Sequence, residues 1–315
     1  MVVSGGPLRQ IQDRRTSMEI DRKELKLQAR ERMALTDPKF WVVALTYIAM
    51  TTGVSWVISL IPLPSGASPV PEIDTIQLFL RLLLNLYTTV VQFGLCLWAL
   101  WTYRQLDPGV NSLMQGFSVA GRVILMQLNV YVRVLGWYFL TALGLSIPVF
   151  VLLLSGAGGA LGMVIILCYS IALLTALIIL QLRYAMAPYL LADRPDDGPT
   201  LPVYRSVSLM QGWKMELFKL EFSFIGYDAV NIALSTAVMI FFLFRAGLLS
   251  AASLTDPTWR IQCLEIVNSV PVVILSTLVT VPIDLWLLPY RATARAGFYD
   301  ARILAASQQG QLPPL

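Results

Sequence analysis

Apolar residues along this chain come in six long runs, near 40–61, 76–103, 130–154, 161–187, 222–248 and 266–289. Each is about the length a helix needs to cross a bilayer, roughly 20 residues at 1.5 Å per residue. The second and third runs are long enough for a helix to tilt or to start in the interface. The pattern predicts an all-α, polytopic membrane bundle of six transmembrane helices.

The polar stretches between the runs alternate in charge. The segment before the first run carries nine basic residues: Arg9, Arg14, Arg15, Arg22, Lys23, Lys26, Arg30, Arg32 and Lys39. Arg104 and Arg122 follow the second run, Arg194, Arg205, Lys214 and Lys219 the fourth, and Arg291, Arg295 and Arg302 the sixth. The intervening stretch at 62–75 has no Arg or Lys, "SGAGGALG" (155–162) has no charge, and only Arg245 and Arg260 flank the third. Basic loops stay on the cytoplasmic side of a membrane, so a multi-pass protein with both termini in the cytoplasm is expected. The first 39 residues lack the apolar core of a leader, and no cleaved signal is expected. Trp41, Trp98, Trp101, Tyr103, Trp286 and Tyr290 stand near predicted span ends. They are read as an aromatic belt at headgroup level.

The pentapeptide SLMQG occurs at Ser112–Gly116 and again at Ser208–Gly212. Each copy follows a turn rich in Asp, Pro and Gly, "LDPGVN" (106–111) and "DRPDDGP" (193–199). Beyond the second turn, Val203, Val207, Met210, Trp213, Leu217 and Leu220 fall on one face at helical spacing. Arg205, Lys214 and Lys219 lie off that stripe. This describes an amphipathic elbow helix lying in the cytoplasmic interface plane. The stretches 110–129 and 19–36 resemble it. The chain then parses as a basic cytoplasmic segment (1–39), a membrane domain (40–290) and a cytoplasmic tail (291–315). Inside the membrane domain three elbow-plus-hairpin units are expected, at 17–103, 110–190 and 200–290. Gly116 and Gly212 are expected to let the elbows pack closely on a span.

Composition agrees with a membrane protein: 57% hydrophobic and 13% charged, against roughly 25% charged in soluble proteins. The net charge of +4 is a topology signal that also attracts anionic lipid, and it calls for no nucleic acid partner. There is no histidine, so the commonest catalytic base and metal ligand are both missing. The three cysteines, Cys96, Cys168 and Cys263, are far apart, and no metal site, disulfide framework or cofactor is expected. Neither GxSxG, HExxH nor a Walker loop occurs. No catalytic residue is nominated.

Ionisable groups inside spans are costly and face a bundle interior or water. Arg81 and Asn85 lie in the second span. Arg133, Arg183, Asp228, Asn231 and Asp284 are expected at similar depth toward the cytoplasmic leaflet. Three readings stand: an ion-pair network that locks the bundle, a polar cavity for a headgroup, ion or small solute, or a carboxylate pair for acid–base chemistry. Pro148, Pro271 and Pro282 are expected to kink their spans, and Pro188 to stop the fourth.

The C-terminal half carries a further pattern. "LRYAMAPYLLAD" (182–193), "SLMQGWKMELFKLEFSFIGY" (208–227) and "LPYRATARAGFYDAR" (288–302), with "DRKELKLQARERM" (21–33), resemble the domain of unknown function 975 family of bacterial membrane proteins. The matching positions include Tyr184, Pro188, Tyr189, Asp193, Gly212, Lys214, Ser223, Gly226, Pro289, Tyr290, Phe298 and Tyr299. The family is similar, more distantly, to the membrane domain that accompanies some glycerophosphodiester phosphodiesterases. The resemblance implies a bacterial cytoplasmic (inner) membrane protein and assigns no activity. The expectation is a non-enzymatic integral membrane protein that binds or moves lipid-like or small amphipathic molecules at the inner leaflet, or modulates a membrane partner. Its expected partners are membrane lipids, anionic ones first, and a membrane protein. A solute channel or permease, and a subunit or scaffold of a larger membrane complex, are the alternatives.

Overall fold

The computed structural model describes residues 22–59, 75–106, 108–154, 159–249 and 258–308. The basic residues before Arg22, the Pro-rich 62–74, Asp107 of the first turn and residues 155–158 of the glycine-rich stretch lie outside the described residues.

The described chain is all-helical. In order it forms α1 (Arg22–Ala34), α2 (Phe40–Ile48), a π-helical turn (Ala49–Gly53), α3 (Val54–Ser59), α4 (Thr75–Tyr103), α5 (Asn111–Ser118), α6 (Ala120–Leu154) and α7 (Gly159–Tyr184). Then follow α8 (Ala187–Asp193), a 3₁₀ turn (Pro195–Asp197), α9 (Leu201–Leu209), α10 (Lys214–Phe222), α11 (Ile225–Arg245), α12 (Trp259–Val267) and α13 (Val270–Gln308). Six helical stretches are long and apolar enough to cross a membrane: Phe40–Ile58, Leu78–Tyr103, Ala120–Leu152, Gly159–Asp193, Ile225–Arg245 and Val270–Gln308.

The structure moves several boundaries. The third span begins at Ala120, because the stretch expected to be an elbow up to 129 continues straight into the membrane helix. The sixth runs 39 residues to Gln308, although Pro289 and three arginines suggested a stop near 290. α13 continues through Pro289, and one turn on the buried Thr293 hydroxyl donates to the Pro289 carbonyl at 2.8 Å. Beyond it Tyr290, Ala294, Phe298, Arg302 and Ala306 recur at four-residue spacing and are all buried. Pro271 stands at the start of α13, where a proline costs no helical hydrogen bond. Pro188 likewise opens α8, one short turn after α7 ends at Tyr184.

The second elbow is two helices. α9 ends at Leu209 and α10 begins at Lys214, with Gly212 at φ 80° between them. That left-handed backbone suits glycine, and a Cβ there would meet nothing within 4 Å. Gly212 therefore turns the chain and does not make room for a neighbour. The first SLMQG is helical throughout. The two copies share a buried leucine, Leu113 and Leu209, and diverge at the next position: Met114 is 55% exposed and Met210 fully buried.

By packing, the chain divides into two units, one of Gly116–Lys219 and the chain from Gly297, the other of Lys23–Gln115 and Leu220–Ala296. In the first unit α6 and α7 form a hairpin with apolar side chains turned outward, Leu135, Phe139 and Met163 among the most exposed. Such a surface suits hydrocarbon, not water. Arg122 at the start of α6 donates to the Pro195 carbonyl at 2.6 Å, which puts the start of the third span and the end of the fourth on one side.

In the second unit α4 is the enclosed helix, with Val91, Trp98, Ala99 and Leu100 fully buried. Trp98 and Tyr290 are inside the protein, so the expected aromatic belt loses both to packing, while Trp41 stays half exposed. The close approach expected of an elbow glycine is supplied by Gly94 on α4. A Cβ there would stand 2.8 Å from Leu113 Cα, so α5 can rest on α4 only through a residue without a side chain.

Candidate functional site

The site grows from α1 in the second unit. Leu25, Ala29 and Met33, four residues apart, are buried on one face. Burying Leu25 and Met33 contributes about 1.5–3 kcal/mol each. One flank of this stripe meets the end of α4. The Tyr103 hydroxyl donates to Gln28 at 2.9 Å, while Arg32 lies over the Tyr103 ring at 3.9 Å and donates to its carbonyl. The other flank meets the start of α11 and the middle of α13. Lys26 donates to the Ser223 hydroxyl at 3.0 Å and lies over Phe224. Arg30 lies over Trp286 and Tyr290, 5.4 and 5.0 Å from the ring centres. Phe224 packs edge-on against Tyr290, and Tyr290 against Trp286, so the rings form one continuous floor. The start of the first span, the end of the second, the start of the fifth and the end of the sixth thus share one side of this unit, as six alternating crossings require.

Beside that floor lies a carboxylate–guanidinium network. Glu221 accepts from Arg291 Nε at 2.7 Å and from Arg295 Nε, and Arg291 Nη1 reaches both Asp228 oxygens at 3.3 Å. Burial alone pushes the Glu221 carboxyl up; the hydrogen bonds and positive charge of Arg295 and Arg291 outweigh it and hold the group below the ordinary carboxylate value. One helical turn further into the span, Asn231 Nδ2 donates to Asp284 Oδ1 at 2.8 Å. Polar groups therefore descend from Glu221 at the end of α10 through Asp228 to Asn231 on α11, and from Arg295 through Arg291 to Asp284 on α13.

Of the five intramembrane residues expected to cluster, the structure brings Asn231 and Asp284 into contact and holds Asp228 beside them through Arg291. Arg133 and Arg183 belong to the first unit. There Arg133 donates to Asn129 at 2.6 Å and lies 4.2 Å from the Tyr204 ring centre, and Arg183 lies near Tyr184. The partners not expected from the sequence are Glu221 and the two arginines at the end of the sixth span. A signal was present. Glu221 stands seven residues before Asp228, and Arg291 seven after Asp284. Seven residues is two helical turns, so Asp284 and Arg291 share a face of α13, whereas Glu221 lies on α10, separated from Asp228 by the turn at Ser223 and Phe224.

The family-motif residues resolve into two packed groups. Ser223 and Tyr290 belong to the floor just described, Pro289 precedes Tyr290 on α13, and Gly226 is the second residue of α11. In the first unit Tyr189 stacks on Tyr299 at 5.7 Å, and the Tyr299 hydroxyl donates to Asp193 at 2.6 Å. Arg302, 2% exposed, donates to the Leu209 carbonyl at 3.0 Å and lies 4.2 Å from the Trp213 ring centre. Gly212 makes the turn that presents Trp213, Lys214 opens α10, and Tyr184 and Phe298 are buried. Among the described residues, no group of three His, Cys, Asp or Glu is placed to hold a metal ion.

No curated protein and no solved structure matches the chain. The model of a family described as protein of unknown function (DUF975) matches residues 18–306. That match runs from α1 to the last turn of α13 and includes the hairpin at 130–180, which lies outside the motifs that first suggested it. The buried tyrosines, the Gly212 turn and the α1 docking face all fall within the matched stretch, and by that match this chain belongs to the DUF975 family.

Proposed function

We propose that this integral membrane protein is non-enzymatic and binds lipid-like or small amphipathic molecules at the inner-leaflet ends of its spans. One observation carries the reading. Charged and polar side chains run from Glu221 and Arg295 at the span ends to Asn231 and Asp284 within the spans, next to cations seated on aromatic rings. An amphiphile needs that gradient, a charged mouth for its headgroup and an apolar flank for its chain. α11 supplies the flank, with Val230 and Ile232 about half or more exposed beside Asn231. On this reading the chain sits in the bacterial cytoplasmic membrane with both termini inside, and the distribution of Arg and Lys supports that orientation.

Native mass spectrometry of the purified chain tests the proposal. Retained lipid, lost when Asp284 and Arg291 are replaced together by Ala, is the expected result. A protein that emerges free of lipid from mild detergent, and binds no vesicle lipid, would refute it.

A further inference from the structure

The four cations around the aromatic floor fall into two kinds. Arg291 and Arg295 face the Glu221 and Asp228 carboxylates. Lys26 and Arg30, one turn apart on α1, face rings and one hydroxyl, and among the described residues neither forms an ion pair. The acidic residues of α1 do not help. At 100° per residue, Glu24 and Glu31 lie on the side of the helix away from the buried stripe, whereas Lys26 and Arg30 flank it. Burial, and then the nearby charge of Arg30, hold the Lys26 ammonium below its ordinary value. The fold thus holds two like charges together over an apolar floor without a counter-charge, and an anion would relieve that arrangement. Arg30 is exposed and open to one. Lys and Arg pairs suit phosphate oxygens, and both stand on α1, shortly before the apolar stretch that opens at Phe40.

Resting on the lipid-binding reading above, we infer that Lys26 and Arg30 grip the phosphate of an anionic lipid headgroup. A zwitterionic lipid carries the same phosphate but neutralises it with its own ammonium, so it binds more weakly. Arg32, turned to Tyr103 on the other flank, takes no part.

The test is a binding titration of the full chain in nanodiscs or detergent, with phosphatidylglycerol, phosphatidylcholine and inorganic phosphate as probes. Phosphatidylglycerol binds more tightly than phosphatidylcholine in the wild type. K26Q and R30Q each weaken phosphatidylglycerol binding about fivefold and K26Q/R30Q about 25-fold, the loss expected for basic residues at a membrane surface. K39Q removes the same charge from an exposed site outside the floor and weakens binding less than K26Q or R30Q does. K26R/R30K keeps both charges, restores binding, and separates loss of the grip from loss of the fold. Equal affinity for the two lipids, or a K39Q effect as large as that of R30Q, overturns the inference while leaving amphiphile binding intact. Absence of any lipid binding overturns both. Complete displacement of phosphatidylglycerol by millimolar inorganic phosphate overturns the lipid as the source of the phosphate.

Discussion

Replacing Glu221 with Gln probes the charge network at the span ends most directly. The carboxylate is 16% exposed and joins two guanidinium groups. A hydrogen bond to a charged group contributes about 1.5–3 kcal/mol. The two bonds here sum to less than twice that, because the Arg291 and Arg295 side chains are 29% and 40% exposed and regain water when released. Arg291 also keeps Asp228 at 3.3 Å. A net loss of about 2 kcal/mol is expected for E221Q. At about 2 °C per kcal/mol for a chain of this size, the thermal midpoint falls by about 4 °C. The effect also carries a pH signature. The folded Glu221 carboxyl titrates below its ordinary 4.5. Its stabilisation is therefore present above the unfolded value and disappears as pH falls through the lowered folded value. Thermal unfolding of wild type and E221Q from pH 7 to pH 3, in one detergent, should show a gap that is constant down to about pH 5 and closes in acid. A gap of zero at pH 7, or one that persists undiminished at pH 3, would refute the network as described.

Three further predictions follow from packing. G94A places a methyl group against Leu113 backbone atoms 2.8 and 2.9 Å away and should destabilise by about 1–3 kcal/mol, whereas G136A, with nothing within 4 Å, should be neutral or gain up to about 1 kcal/mol; chemical denaturation of both variants checks this. Y299F removes the 2.6 Å bond to Asp193 from a fully buried ring and should cost about 1.5–3 kcal/mol by the same measurement. R302M and W213L should couple in a double-mutant cycle by about 0.5–2 kcal/mol, since the guanidinium lies 4.2 Å from the indole centre in a buried site.

How far the sequence could be read depended on which physical signal was at stake. Hydrocarbon thickness acts on run length alone, so the six apolar stretches were legible before any coordinate. Helix ends were not. Arg291, Arg295 and Arg302 look like a tail, yet α13 runs past all three, because their carboxylate and carbonyl partners lie within the packed protein. The broken elbow was hidden for a related reason. Val203, Met210, Leu217 and Leu220 share a burial pattern that a continuous helix would also give, and only the positive φ of Gly212 separates α9 from α10. Gly212 was expected to bring an elbow close to a span and instead turns the chain; a close approach lies at Gly94, because it depends on which backbone faces which. Polar residues were legible as a class and not as partners. Asp228, Asn231 and Asp284 were read by depth along the membrane, and the cations that face Asp228 and Glu221 come from a segment expected to be tail.

The account rests on α1 docking at the same side of the membrane as the end of α4, with the α11–α12 connection opposite. Single cysteines at Glu31, Gln105 and Thr258, all exposed, test it in a background where Cys96, Cys168 and Cys263 are replaced. With a membrane-impermeant thiol reagent on intact cells, Thr258→Cys should label, while Glu31→Cys and Gln105→Cys should label only after permeabilisation. Labelling of Glu31→Cys from the outside, or of Thr258→Cys only from within, would contradict the arrangement.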